Sequence, residues 1–306
     1  MHTTVRQWLI TLFLFIFSQH FVSSQPLDLE SPDPKASGSP NVLLGPGPES
    51  ILDQFPRPEL TRTESGFEPE PARVPEINLV EVEFVETWKG TLIRGFLVRP
   101  RDPVPRGAIL LLHDWWGLTS GVRKQALDLA AEGFVAFALD MYRGRVPTKR
   151  QDAVKLMRSL KKDDIYWLTA VSLDWLDTQS SMGSDIRTGV VGWGIGGLYA
   201  LELPVRGASP EALVLFCSEP IIDPQAITKI QCPLLGFYAS RDAWITPQRV
   251  RSFESTLQLN GHRHHEMILY DTLPGFSLKP SGPLQESYAE TAQDKMVSFL
   301  KGHLQH

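Results

Sequence analysis

The sequence predicts an α/β protein with a doubly wound, mostly parallel sheet and helices on both faces. Short apolar runs of the kind found in strands buried on both faces lie at 107–112, 134–140, 188–193, 212–218 and 232–240. Stretches with helical spacing of apolar residues separate these runs, and strands that alternate with helices are typical of this class. The 306 residues are enough for a large core.

The remaining elements follow in order along the chain. An opening hairpin is predicted because the alternating segment VEVEFVETW and the segment LIRGFLVRP flank Lys89-Gly90. A last strand is predicted at 266–271. Helices are predicted at 123–132, 149–162, 164–177, from Ile195 onwards, at 247–259 and at 283–302.

The first 24 residues have the pattern of an export signal. Arg6 supplies a short positive region, and the apolar run 8–17 is shorter than the roughly 20 residues that a membrane-spanning helix needs. Val22 and Ser24 are small residues in front of a cleavage point before Gln25. We therefore expect a secreted or periplasmic protein, with an uncleaved membrane anchor as the alternative.

Residues 25–78 are predicted to form a disordered or extended acidic linker before a folded domain at 79–306. The linker holds eleven of the 24 prolines in the chain, with ten acidic and four basic residues. Such a segment buries too little apolar surface to offset its ordering entropy. Because the rest of the chain is close to neutral, no basic surface for nucleic acid is expected. Contact with a membrane is expected only through an uncleaved leader.

The chain has only two cysteines, which excludes a cysteine-rich zinc module and a fold built on disulfides. If the protein is exported, Cys217 and Cys232 could form a disulfide, and the alternative is that both are buried free thiols. We expect no metal ion and no cofactor.

In doubly wound sheets the chemistry lies at the carboxyl ends of the strands. These ends carry the segments HDWWG (113–117), DMYRG (140–144), GWGIGG (192–197), SE (218–219), SRD (240–242) and DTLPGF (271–276). Together with their strands they resemble the dienelactone hydrolase family over about 80–304. The resemblance is carried by LLLHDWWGLT, GFVAFALDMYRG, GVVGWGIGGLYA, PLLGFYASRDAWIT and LYDTLPGF. It implies an α/β-hydrolase fold and hydrolysis of esters or lactones.

The resemblance also implies a role for each site position. In the family a thiol or hydroxyl nucleophile stands on a sharp strand-to-helix turn, a histidine activates it, and an aspartate orients that histidine. Here Gly194 occupies the nucleophile position and Gly275 the histidine position, while Asp242 is the retained acid. A glycine can neither attack a carbonyl group nor carry a proton.

Further pocket residues are implied in the same way. Asp114 stands where the family has an acidic residue after the third strand. The backbone N–H groups of Ile195 and of a residue near Trp115 are the expected oxyanion donors. Trp193, with Trp115 and Trp116, either lines an apolar cavity or belongs to the core.

The favoured interpretation is a non-catalytic relative that binds a small carboxylate, ester or lactone-type ligand, or a protein partner. A second hypothesis keeps hydrolysis, with Cys217 as nucleophile or with a water activated by Asp114 or Asp242. We interpret His113 as structural. The histidines at 262, 264 and 265 precede a strand and are interpreted as a polar turn at the opposite edge.

A third hypothesis comes from the spacing of three glycines. Gly192, Gly194 and Gly197 spell G-x-G-x-x-G between a strand and a helix, and Glu219 ends the next predicted strand. This is the outline of a dinucleotide-binding fingerprint. The pattern is weak alone, because such a fingerprint usually opens its own βαβ unit, whereas this one lies mid-sheet.

Overall fold

A computed structural model describes residues 79–101, 105–178 and 186–305. The predictions for 1–24 and 25–78 fall outside these ranges. The strands are β1 (Leu79–Trp88), β2 (Thr91–Pro100), β3 (Ala108–Leu112), β4 (Val135–Leu139), β5 (Thr188–Trp193), β6 (Ala212–Phe216), β7 (Leu234–Ala239) and β8 (His265–Tyr270). The helices are α1 (Ser120–Ala131), α2 (Arg150–Ser159), α3 (Lys162–Asp177), α4 (Ile195–Val205), α5 (Pro224–Ile227), α6 (Pro247–Leu259) and α7 (Pro283–Leu304).

The eight strands form one sheet in the order β1-β2-β4-β3-β5-β6-β7-β8. Strands β3 to β8 pair in parallel, whereas β1 and β2 form the predicted antiparallel hairpin and β2 pairs antiparallel with β4. This confirms the doubly wound, mostly parallel sheet. It also means that β3 to β8 all end at the same edge of the sheet, called here the carboxyl edge.

The core lies on both faces of the sheet because alternate residues of each strand point to opposite sides. In β3, Leu110 and Leu112 pack towards α3, α4 and α6, while Ile109 and Leu111 pack towards α1 and α7. All five residues of β3 are buried, and so are all five of β4. Burial on both faces explains why these strands are unbroken apolar runs in the sequence.

The predicted elements agree with the structure to within a few residues. The bounds of β5 and α6 match the prediction, and α7 extends two residues further than predicted. The short helix α5 is missed, since four residues are too few for a helical period to show. None of the helices in the described ranges is long and apolar enough to span a membrane.

Both cysteines are free thiols. Cys217 follows the end of β6 at the carboxyl edge, whereas Cys232 precedes the start of β7 at the opposite, amino edge. The length of a strand therefore separates them, well beyond the Cα separation of a disulfide.

Candidate active site at the carboxyl edge

The centre of the carboxyl edge is a sharp turn between β5 and α4. Gly194 connects them with φ 51° and ψ −114°, and its N–H donates to the carbonyl of Phe216 at 2.9 Å. A positive φ of this size is costly for most side chains and natural for glycine. Ile195 begins α4 at this point, and both Gly194 and Ile195 are partly exposed. The turn therefore presents the amino terminus of a helix to the surface.

Three other glycines of the turn are required by close packing. A Cβ at Gly192 would lie 2.5 Å from Gly197 Cα, and one at Gly196 would lie 2.2 Å from the carbonyl oxygen of Leu112. A Cβ at Gly197 would lie 1.7 Å from Ser218 Oγ. The glycine-rich pattern thus lets helix α4 approach β3, β5 and the end of β6.

Gly194 differs from these three, because its surroundings leave room for a side chain. The nearest heavy atom to a Cβ at this position is Asp114 Cβ, at 3.7 Å, which is ordinary van der Waals contact. The packing therefore leaves space for a small side chain at this position, although any residue with a Cβ would be strained at this φ.

Asp114 follows β3 and approaches the turn from the neighbouring strand. Its Oδ1 accepts the N–H of Trp116 at 2.9 Å. Burial raises the pKa of this carboxyl to about 7, and the hydrogen bond from Trp116 offsets that effect only in part. Asp114 can therefore exist as acid or as base near neutral pH.

Asp242 lies after β7 and is 6% exposed. Its Oδ1 accepts the N–H groups of Trp244 at 2.8 Å and of Ile245 at 2.9 Å, so the carboxylate holds the turn that leads into α6. Burial raises the pKa of Asp242, and the two backbone donors work against this shift. Asp242, the acid that the resemblance implies, therefore holds this turn in the structure.

Gly275 follows β8 with φ 86°. Its backbone hydrogen bonds to Cys217, which comes after β6 and has an unusual φ of 46°. Burial and the nearby charge of Asp242 raise the pKa of the Cys217 thiol to about 12. The structure therefore brings Cys217, Asp242 and Gly275 together, and it holds the thiol in the protonated, unreactive form.

His113 is fully buried beneath this site, and both of its ring nitrogens are engaged. Nδ1 donates to the carbonyl of Asp114 at 2.7 Å, and Nε2 accepts the N–H of Met141 at 3.1 Å. Burial lowers its pKa to about 4, so the ring is neutral at pH 7. This agrees with the structural role predicted for His113.

The other described histidines lie at the amino edge, as predicted for His262, His264 and His265. His262 contacts the carbonyl of Cys232 at 3.0 Å, and its Nδ1 lies 3.2 Å from Nδ1 of His265. His303 is anchored there by Arg187, the residue before β5. No described histidine is therefore placed to activate a nucleophile at the carboxyl edge. The described residues also contain no group of three or more His, Cys, Asp or Glu suited to a metal ion.

The tryptophans near the turn are mainly core residues. Trp115 is 6% exposed and Trp193 is 3% exposed. Trp193 stacks on Phe216 with ring centroids 5.3 Å apart and donates through Nε1 to Ser277 Oγ at 3.1 Å. Trp116, beside Trp115, is the one of the three that is partly exposed.

The sequence over residues 93–304 matches the model of the dienelactone hydrolase family. The chain belongs to the dienelactone hydrolase family. Protein usf of Aquifex pyrophilus is 30% identical over 189 residues, which cover 59% of this chain and 79% of that protein. The family and the sheet topology together establish the α/β-hydrolase fold.

Solved structures of similar fold include a dienelactone hydrolase and a dienelactone hydrolase-like enzyme. The dienelactone hydrolase of Anabaena variabilis has a TM-score of 0.56 and 18% identity, covering 74% of this chain and all of that one. A dienelactone hydrolase-like promiscuous phosphotriesterase from metagenomic libraries has a TM-score of 0.64 and 18% identity, with 75% and 100% coverage. At this level of identity the likeness concerns the fold.

The dinucleotide-binding hypothesis requires Glu219 as a free acidic residue, and the structure engages this residue elsewhere. Glu219 forms an ion pair with Arg249 and accepts the indole N–H of Trp244 at 2.8 Å. A carboxylate engaged in this way is not poised to bind a ribose hydroxyl. Together with the packing of Gly192 and Gly197, this favours a hydrolase turn over a dinucleotide fingerprint.

Sequence reasoning missed two features of this dienelactone hydrolase site. The contact between Cys217 and Gly275 depends on the neighbouring positions of β6, β7 and β8, which a sequence does not display. The exposure of Trp244, two residues after Asp242, is likewise visible only in the structure.

Proposed function

We propose that this member of the dienelactone hydrolase family binds a small carboxylate or ester-like ligand at the carboxyl edge without hydrolysing it. The observation that carries the proposal is Gly194, which keeps the backbone geometry of the strand-to-helix turn and carries no attacking atom. Without nucleophile and base, a site of this kind retains only binding and oxyanion stabilisation.

The binding atom is the backbone N–H of Ile195. It lies at the amino terminus of α4, where unpaired N–H groups and the helix dipole favour an anion. An N–H near Trp115 is the second expected donor. The room left beside Gly194 gives a carboxylate or carbonyl oxygen access to this donor.

Isoleucine-selective ¹⁵N labelling tests the proposal directly. The Ile195→Val variant identifies the Ile195 amide signal, and butanoate is titrated into the labelled full-length protein. We expect a saturable shift of the Ile195 amide, while the amide of Ile165 on α3 stays in place. Titration that moves neither signal at millimolar butanoate would overturn the proposal.

A second candidate function keeps ester or lactone hydrolysis, and Asp114 is the observation that favours it. Its Cβ lies 3.7 Å from where a Cβ on Gly194 would be, and its carboxyl group has a pKa of about 7. In this scheme ionised Asp114 takes a proton from water, and the water oxygen attacks the carbonyl carbon. The oxyanion forms at the Ile195 N–H, and Asp114 returns the proton to the leaving oxygen.

The two candidates differ in their response to pH. Hydrolysis through Asp114 requires a rate that rises through about pH 7 and is lost in Asp114→Asn. Hydrolysis through Cys217 is less supported, because its thiol has a pKa of about 12 and no described histidine accompanies it. We also propose export through residues 1–24, and a protein partner is the alternative to the small ligand.

A further inference from the structure

Three exposed apolar side chains follow consecutive strands at the carboxyl edge. Ile222 lies after β6, Trp244 after β7 and Leu273 after β8, and they are 64%, 45% and 43% exposed. We call these three residues the apolar rim. Because β6, β7 and β8 are neighbours in the sheet, the loops that carry the rim emerge side by side, next to Asp242 and Gly275.

Trp244 is fixed in place while its ring remains partly exposed. Its backbone N–H donates to Asp242, its carbonyl accepts from Arg249 at 3.0 Å, and its indole N–H donates to Glu219. The guanidinium of Arg249 lies 5.7 Å from the ring centroid. All polar atoms of this tryptophan are thus satisfied, and what it offers to solvent is a preorganised apolar surface.

Two ion pairs lie around the rim, and Asp223, next to Ile222, is an exposed carboxylate that accepts the N–H of Gln225. Glu219 pairs with Arg249, and Arg241 pairs with Asp271 at 2.8 Å through two parallel hydrogen bonds. The two pairs are neutral overall and the remaining charge is negative, so the rim offers no positive charge to attract an anionic group. The rim therefore suits an uncharged, apolar part of a ligand, and an anionic group fits the helix terminus at Ile195.

We propose that the ligand is an amphiphilic monocarboxylate or its ester, with the polar group at Ile195 and an apolar chain lying on Trp244, Ile222 and Leu273. This inference rests on the proposed function and names the ligand class. In this proposal, Trp244 is the residue that determines specificity. Two strand spacings, about 10 Å, separate β5 from β7, and we expect short carboxylates held at Ile195 to leave the ring of Trp244 uncontacted.

The length of the apolar chain is the first test. Acetate, butanoate, hexanoate, octanoate and decanoate are titrated into the full-length protein by calorimetry and by ¹⁵N spectra of the indole groups. We expect octanoate and decanoate to shift the Trp244 indole signal and acetate to leave it unchanged. Each methylene that contacts the rim should tighten binding by up to about fourfold. Affinity that is independent of chain length would overturn the inference.

Trp167 provides a matched control for Trp244. It is 53% exposed, and its indole N–H also donates to a side chain, that of Thr91, but it lies on α3 beside the hairpin. We expect Trp244→Ala to weaken octanoate binding about tenfold and to leave butanoate binding unchanged. Trp167→Ala should change neither. Equal effects of both substitutions on octanoate would overturn the inference.

The leucines allow the same comparison at a smaller side chain. Leu273→Ser should weaken octanoate binding a few-fold, whereas Leu259→Ser, at a residue 87% exposed at the end of α6, should not. The failure of this inference is distinguishable from failure of the proposed function. If butanoate shifts the Ile195 amide but chain length has no effect, only the ligand class is wrong; if no carboxylate shifts Ile195, the proposed function is wrong.

Discussion

The side-chain position of Gly194 faces Asp114: a Cβ on the glycine would lie 3.7 Å from Asp114 Cβ, with no other heavy atom beyond its chain neighbours within 4 Å. The turn between β5 and α4 therefore leaves space beside Gly194, next to a carboxyl group with a pKa of about 7.

Restoring the missing groups should restore thiol reactivity. In Gly194→Cys with Gly275→His, the new thiol has space at the turn, and the new histidine stands near Asp242 through the contact with Cys217. We expect alkylation by iodoacetamide at pH 7 about tenfold faster than for an unactivated thiol. The rate of alkylation is measured by mass spectrometry of the modified peptide.

Gly207→Cys is the matched control for this experiment, since Gly207 also has a positive φ and open space around its Cβ position, but lies far from the site. If the double variant reacts no faster than Gly207→Cys, Gly194 is not the nucleophile position and our assignment of the turn is wrong.

Asp114 should make stability depend on pH. Its pKa is raised from 3.8 to about 7 in the folded protein, so the folded state holds an extra proton between these values. Its contribution to stability is full below pH 3.8 and is lost as pH rises through 7. The free energy of unfolding of wild type, relative to Asp114→Asn, should fall by at most about 1.4 kcal/mol per pH unit in this window.

Urea denaturation at pH 4.5, 6 and 7.5 measures this difference. The control variant is Asp223→Asn. Asp223 is an exposed aspartate that accepts the N–H of Gln225, so this variant shows the effect of removing a carboxylate that caps a turn at the surface. A difference between wild type and Asp114→Asn that stays constant over the window would contradict the assigned pKa.

Asp242 should be more important for stability than for chemistry. Asp242→Ala leaves the N–H groups of Trp244 and Ile245 without their acceptor, which should cost about 1–3 kcal/mol of unfolding free energy. Asp242→Asn keeps an oxygen acceptor and removes a buried charge, so it should cost less. Equal losses of unfolding free energy in the two variants would show that Asp242 does not stabilise the protein through these hydrogen bonds.

The native thiols should be inert in the folded protein. Cys217 and Cys232 each have a pKa raised to about 12 by burial, so the thiolate fraction at pH 7.5 is far below that of a free cysteine. We expect iodoacetamide to modify both only after denaturation in urea. Modification of Cys217 in the native protein within minutes would instead support the hypothesis that Cys217 is a nucleophile.

The sequence alone was sufficient for the sheet, the helix order and the turn at Gly194. Strands such as β3 and β5 are buried on both faces, so their apolar runs are continuous, and Gly194 marks the end of β5 and the start of α4. The structural role of His113 could be anticipated from its place at the end of a buried strand. Its partners could not, because Met141 comes from the neighbouring strand end.

The contacts within the candidate site could not be predicted, because they depend on how distant segments are placed in the fold. That Asp114 faces Gly194 follows from the pairing of β3 with β5, and that Cys217 contacts Gly275 follows from the order of β6, β7 and β8. The apolar rim required knowledge of exposure, since an exposed and a buried tryptophan look alike in a sequence. The strand order brings residues that are far apart in the chain together at the carboxyl edge, and a local sequence pattern does not encode this order.

The most direct test of the central claim is the hydrolysis of p-nitrophenyl acetate by purified full-length protein, followed from pH 6 to 9 beside Asp114→Asn, Cys217→Ala and Asp242→Asn. The account predicts release of p-nitrophenol at the rate of the buffer control in wild type and in all three variants. Turnover in wild type that rises through pH 7 and disappears in Asp114→Asn, or that disappears in Cys217→Ala, would contradict it.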